Sequence, residues 1–346
     1  MNSFLLDDYR GVLLGQYFVL DVRAEGEFET GSVPNSVNLP ILNNDERAAV
    51  GITDKQQGPD AAYDKGMQLV SGSLKSKRVQ SWRDVIHQNT KVVIGCWRGG
   101  KRSEIAQEWL AESGIHAPRL AGGSKALRQY CLSVLEKLDH RNFVVVAGQT
   151  GTGKTLFLQQ YKEAVDLEGL AQHRGSAFGR TGIEQPSPIS FEARVASEIL
   201  HTEQHAFTLL EDESRNIGRL AVPLALHAHM QKAPLIVLMK SLEERVSLTY
   251  HTYVKSQNGS ELLDSLSKIR RRLGEERYQE VWRTMTDAIA SDNKTLHCSW
   301  IEKLLSYYYD PQYDYQLSKK HERIRVRGDE ATLKQYLEDQ YCLNPK

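Results

Sequence analysis

Cysteine is scarce in this sequence: four among 346 residues, and no two form a Cys-x-x-Cys pair. That excludes a disulfide scaffold and a paired-cysteine zinc site, and it points to a reducing compartment. No apolar run reaches the roughly 20 residues that cross a bilayer. The first residues, Met-Asn-Ser-Phe-Leu-Leu-Asp-Asp, carry acid where a secretory leader carries base. An excess of either charge is also missing, with 44 Lys plus Arg against 44 Asp plus Glu. A nucleic-acid contact must therefore come from a local basic patch. Internal repeats and low-complexity tracts are absent. What remains is an ordinary globular composition, 40% hydrophobic and 25% charged, of a length that suits about two domains. The expectation is a cytoplasmic protein with no membrane partner; oligomeric state is not legible.

Against these absences one stretch stands out: Gly148-Gln149-Thr150-Gly151-Thr152-Gly153-Lys154-Thr155, directly after the apolar run Phe143–Ala147. Its spacing is that of a phosphate-binding loop between a strand and a helix. Gly148, Gly151 and Gly153 let backbone amides turn inward around an anion. Lys154 neutralises phosphate, and the Thr155 hydroxyl is placed for Mg²⁺. Further on, Ala206–Leu210 reads as a buried strand releasing Glu211-Asp212-Glu213, where the acidic residue of such a site is expected. Glu211 is the candidate metal ligand and Asp212 lies on the phosphate side; the pattern alone does not choose between them. The basic, glycine-rich loop His173–Arg180 is suited to line a polyanion site, with Arg174 its candidate contact.

The first half carries a second anion loop. Lys91–Gly95 reads as a strand that ends at Cys96, followed by Trp97-Arg98-Gly99-Gly100-Lys101-Arg102-Ser103 and a helix. Loop amides, a helix start, Arg98 and Arg102 all favour thiolate over thiol, so Cys96 is the candidate nucleophile. Cys131, Cys298 and Cys342 lack such surroundings. The polar stretch from Asn43 to about Ser73 is either a helical insertion or a functional loop, and Leu74–Gln88 has helical spacing. Beyond about Tyr253 the chain reads as helical and charged. It includes Arg270, Arg271, Arg272, Lys319 and Lys320 among tyrosines, a mixture suited to an RNA surface or to a solvated helical face over packed rings.

The first half resembles a rhodanese domain in Asp21-Val-Arg23, Glu27-Phe28, Gly31-Ser-Val-Pro34, Asn38-Leu-Pro40, the Cys96 loop and Leu120-Ala-Gly-Gly123. That family's loop cysteine carries a chalcogen. Cys96 to Arg102 is one residue longer than the usual sulfurtransferase loop and has the Cys-x5-Arg length of related phosphatases. Position 95, however, is Gly rather than the His common there. Both chemistries stay open at this point, as does a phosphotransferase or NTPase with a rhodanese-like module.

The combination narrows the field. Cys96–Ser103, Gly148–Thr155, His173–Gly179 and Leu210–Gly218 together resemble the bacterial tRNA 2-selenouridine synthase family. The resemblance implies an α/β fold: a rhodanese-like parallel-sheet domain over 1–124, a linking helix over 125–142, a P-loop domain over 143–255 and a helical C-terminal region over 256–346. Through Tyr63-Asp-Lys-Gly66 it adds Gly66 as a site residue near the cysteine. It further implies tRNA, selenophosphate and geranyl diphosphate as substrates, Mg²⁺ as the only candidate ion, and no tightly bound cofactor.

Overall fold

The computed structural model describes residues 4–346, which form two compact units. The first comprises the chain up to Glu136 together with Ser187–His201; the second comprises Lys137–Pro186 and Thr202–Lys346.

In the first unit, β1 (Leu5–Leu6), β2 (Phe18–Asp21), β3 (Ser36–Asn38), β4 (Val92–Gly95) and β5 (Arg119–Leu120) form one sheet in the order β1-β5-β4-β2-β3. All its pairings are parallel. A parallel sheet is covered on both faces, which is why β4 is apolar and buried throughout. Trp82 and Trp109, from helices Gly72–Gln88 and Lys101–Glu112, stack with ring centroids 6.1 Å apart inside this core. Asp21 and Arg23 form a buried ion pair at 2.7 Å, and Arg23 also donates to the carbonyl of Gly31 at 2.8 Å. The Asp-x-Arg motif thus ties the end of β2 to the turn that follows it.

The polar stretch after Asn43 is helical: Asn44–Gln57 and Pro59–Leu69. Asn43 and Glu46 form a capping box at its start. The helix Pro188–His201 belongs to this unit although its sequence lies well past the phosphate loop. Ser197 Oγ donates to the Leu13 carbonyl at 2.7 Å, and Arg128 pairs with Glu192 at 2.9 Å.

In the second unit, β6 (Phe143–Ala147), β7 (Ala164–Val165), β8 (Thr208–Glu211), β11 (Leu235–Leu238) and β12 (Ile324–Gly328) pair in the order β12-β11-β6-β8-β7, again all parallel. β9 (Asn216–Ile217) and β10 (Leu220–Ala221) form a separate antiparallel ribbon. The C-terminal region is helical except for β12. There Ile324 and Val326 alternate with Arg325 and Arg327, a period of two that covers a sheet edge rather than a helical face. Helices Gly259–Leu273, Glu275–Ser291 and Lys294–Leu304 build their own core around Leu266, Val281, Met285 and Trp300. No helix among the described residues is long and apolar enough to cross a membrane.

Candidate functional site

Ligands of open parallel sheets gather beyond the carboxyl ends of the strands. Both loops singled out in the sequence lie there, one in each unit.

In the first unit Cys96 follows β4 and is 2% exposed. Its Sγ lies 3.2 Å from Ser103 Oγ, which itself donates to the Gly100 carbonyl at 2.9 Å. The amides of Trp97, Arg98, Gly99 and Gly100 donate no backbone hydrogen bond among the described residues. They are free to receive an anion against the sulfur. The far side of the loop is clamped: Ser124 N donates to the Cys96 carbonyl and Lys125 N to that of Trp97, each at 2.9 Å. Gly123 sits so close that a Cβ there would overlap the Cys96 carbonyl oxygen and the Gly99 amide nitrogen.

Arg102 lies within electrostatic reach of the Cys96 sulfur and forms a two-armed ion pair with Glu27, which also holds Arg47 at 3.0 Å. Burial opposes ionisation of Glu27, but Arg102 and the Ala24 amide outweigh it and hold the carboxyl below its ordinary range. Burial likewise works against the Arg102 charge, and Glu27 more than compensates, so the guanidinium is held more firmly charged than usual. Arg98 is exposed and has no ion-pair partner among the described residues. Gly66 lies within the helix Pro59–Leu69, where a Cβ would meet only Val50 at 3.8 Å; the neighbouring Tyr63 interacts with Lys101 of the cysteine loop. At Cys131 burial pushes the thiol up to about 12.

In the second unit the phosphate loop joins β6 to the helix Lys154–Leu158. Gly151 and Gly153 have φ of 84° and 83°, the left-handed region that only glycine adopts at little cost. At Gly151 a Cβ would also meet Thr249 Oγ1 at 2.6 Å and the Arg245 carbonyl at 2.9 Å. Lys154 Nζ donates to the Gly148 carbonyl at 3.0 Å. Arg245, 4% exposed, braces the loop: it reaches the Thr150 carbonyl at 3.3 Å and pairs through both arms with Asp310 at 2.7 Å.

The loop opens on a cavity of about 1080 Å³ whose walls mix polar groups with Leu156, Ile183 and Leu248. Leu156 and Ile183 are 54% and 63% exposed. Glu168 and Glu213 line it, and with the buried Glu211 they form a cluster in which one oxygen of each lies within 4.8 Å of the others. Glu211 is fully buried and neither of its oxygens has a hydrogen-bond partner. Thr155 Oγ1 lies 3.3 Å from Glu168 Oε2. Burial, then repulsion from neighbouring carboxylates, raises Glu168 to about 9 and Glu211 to about 8, while burial and the Asp212 charge raise Glu213 against the pull of Lys154. An oxygen-only donor set with an orphaned buried carboxylate fits a hard divalent cation such as Mg²⁺. Glu213 belongs to the acidic run at the end of β8 that the sequence marks, whereas Glu168 carries no signal in the sequence. Glu168 follows the two-residue strand β7, whose pairing with β8 brings it beside Glu211.

Asp212 and Lys320 both line the cavity and pair at 2.7 Å. Arg174 lines it too, donating to the Thr252 carbonyl at 3.0 Å with its guanidinium 5.3 Å from the Tyr253 ring centroid. The other basic residues lie elsewhere on this unit. Arg270 pairs with Glu275 at 2.6 Å, Arg271 and Arg272 are exposed at the end of the helix Gly259–Leu273, and Lys319 rests 4.0 Å over the exposed Tyr315.

Residues 9–130 match the rhodanese-like domain family, and residues 141–343 match the family described as the tRNA 2-selenouridine synthase AAA domain. Two relatives both bear the name tRNA 2-selenouridine synthase. One, from Marinobacter nauticus, is 42% identical over 345 residues, 93% of this chain and 94% of its own. The other, from Shewanella pealeana, is 40% identical over 362 residues, 98% of this chain and 99% of its own.

Proposed function

This chain belongs to the tRNA 2-selenouridine synthase family, and on that premise we propose that it converts wobble 2-thiouridine of tRNA to 2-selenouridine through two loops with separate tasks. In the first stage the thiocarbonyl sulfur attacks the allylic carbon of geranyl diphosphate. The C–S bond forms as the C–O bond breaks, diphosphate leaves with the electron pair, and the N3 proton of the base passes to solvent. In the second stage selenium from selenophosphate replaces the sulfur. A C–Se bond forms at C2, the C–S bond breaks, geranylthiol departs with a proton, and hydrolysis of the P–Se bond releases phosphate.

The first stage is assigned to the phosphate loop. Its amides and Lys154 meet the charge that develops on the departing diphosphate, with Arg174 on the same cavity wall. Glu168, Glu211 and Glu213, beside Thr155, would hold Mg²⁺, which when bound neutralises phosphate charge. The observation that carries this reading is the cavity itself: phosphate-loop groups share it with Leu156, Ile183 and Leu248. A phosphate cradle with hydrocarbon walls suits a prenyl diphosphate, and nothing in the chemistry needs a nucleotide to be hydrolysed.

The second stage is assigned to Cys96. The free amides of its loop and the Arg102 charge, oriented by Glu27, suit an anionic selenium donor beside the sulfur. Arg98, on the exposed side of the loop, is the candidate to meet the incoming anion. Gly66 belongs to a supporting helix in this reading. tRNA contacts are assigned to Arg270, Arg271, Arg272 and Lys319, exposed on the second unit.

The test is incubation of 2-thiouridine-containing tRNA with the protein and geranyl diphosphate, followed by mass analysis of nucleosides. An S-geranyl nucleoside supports the reading. Untouched thiouridine together with ATP hydrolysis would replace it with a phosphotransferase or NTPase.

A further inference from the structure

Four side chains on the phosphate-loop cavity, His173, Thr249, Tyr309 and Tyr313, carry a buried polar atom without a partner, and Tyr313 is the one whose segment is pinned on both sides to the loop. The π-helical turn Leu305–Tyr309 runs directly into the helix Asp310–Ser318, and this segment is fastened to the phosphate loop at two points. Asp310 is held by Arg245, which also reaches the Thr150 carbonyl. Asp314 accepts a hydrogen bond from Gln149, a residue of the loop itself, at 3.2 Å. Tyr313 lies between these two pins and lines the cavity. Its hydroxyl oxygen is sealed from bulk solvent, and no hydrogen bond of normal geometry satisfies it. The backbone amide of Gly148, the first glycine of the loop, approaches that oxygen.

A buried phenol without a partner is a standing cost of about 1–3 kcal/mol, so a site that retains one has a use for it. The neighbouring amide can only donate to the oxygen, which leaves the O–H proton without an acceptor among the described residues. Burial, with the Asp212 charge adding to it, pushes the phenol up in pKa, so the proton stays on oxygen at neutral pH.

We propose that the Tyr313 hydroxyl donates a hydrogen bond to the diphosphate group held at the phosphate loop and stabilises it as it departs. The proposal rests on the reading that this loop holds a diphosphate. No proton is transferred. The allylic C–O bond breaks, its electron pair goes to the diphosphate oxygen, and the phenol remains protonated while its hydrogen bond strengthens with the new charge. Tyr313 would be a catalytic residue that sequence spacing does not disclose, since it lies 158 positions past the last residue of the loop motif, Thr155.

The test uses the full chain and Tyr313→Phe, which removes only the hydroxyl. Two quantities are read: the dissociation constant of inorganic diphosphate by calorimetry, and the single-turnover rate of S-geranyl nucleoside formation. The variant should keep the thermal midpoint of the wild type or exceed it. Diphosphate should bind about three- to tenfold more weakly, and the transfer rate should fall about 10- to 100-fold. Unchanged diphosphate affinity and unchanged rate overturn the proposal. If the wild type forms no geranyl nucleoside, the prenyl reading fails separately. The diphosphate affinities then decide alone: weaker binding by Tyr313→Phe sustains the hydroxyl's role, and equal binding ends it.

Discussion

Glu211→Gln should make the metal-free protein more stable. Glu211 is fully buried, both its oxygens lack hydrogen-bond partners, and burial followed by the Glu213 charge raises its carboxyl to about 8. A carboxyl held above its ordinary 4.5 destabilises the fold progressively as pH rises from that ordinary value to the folded one. Below 4.5 both states are protonated and nothing is lost. At pH 7, between the two values, the folded state keeps a proton that the unfolded state has lost, a destabilisation on the order of a few kcal/mol. A neutral amide of the same shape removes it. For a unit of this size the gain corresponds to a rise of roughly 6–12 °C in the melting midpoint.

The assay is thermal unfolding of wild type and Glu211→Gln in EDTA across pH 5 to 8. The advantage of the variant should be small at pH 5 and largest near pH 8. Mg²⁺ should stabilise wild type and do little for the variant, because the ligand charge is gone. A variant less stable than wild type at every pH, or an advantage that does not grow with pH, would refute the reasoning about the cluster.

Further expectations follow from the braces around each loop. Gly123→Ala adds a Cβ onto the Cys96 carbonyl oxygen and the Gly99 amide nitrogen at a φ of 60°. The left-handed conformation alone costs about 1–2 kcal/mol, and the backbone must also move. Selenium transfer should be lost while geranyl transfer persists, as nucleoside analysis would reveal. Arg245→Ala leaves Asp310 and the Thr150 carbonyl without their buried partner. Denaturant unfolding should show a loss of about 3–5 kcal/mol, with diphosphate affinity reduced more than tenfold; unchanged affinity would mean the brace does not shape the loop. Glu27→Gln removes the partner that orients Arg102. Since the Glu27 carboxyl is held low, its contribution is present above about pH 4.5 and disappears as pH falls through the lower folded value. The variant should lose that acid-side dependence in pH-resolved unfolding and slow selenium transfer at neutral pH.

The two loops were legible in the sequence because each is a local pattern. A strand, a run of glycines and a basic residue occupy consecutive positions, and Gly151 and Gly153 take the left-handed conformations that the pattern requires. The strands behind them were legible for the same reason, being short apolar runs buried on both faces. What the sequence hid depends on long-range pairing. Glu168 meets Glu211 and Glu213 only because β7 and β8 are neighbours. Tyr313 reaches the loop only because Asp310 and Asp314 are pinned to it. The run Ile324–Gly328 falls in the stretch that reads as helical and charged, yet its alternation of apolar residues and arginines makes it a sheet edge. The helix Pro188–His201 has an unmistakable apolar face, but nothing local tells that it packs in the first unit.

The division of labour between the two loops is tested most directly by nucleoside mass spectrometry of thiolated tRNA. The tRNA would be treated with geranyl diphosphate and then selenophosphate, using wild type, Cys96→Ala and Lys154→Ala. An S-geranyl nucleoside is expected with wild type and Cys96→Ala, a selenonucleoside with wild type alone, and neither product with Lys154→Ala. Selenonucleoside formed by Cys96→Ala, or S-geranyl nucleoside formed at the wild-type rate by Lys154→Ala, would contradict that division.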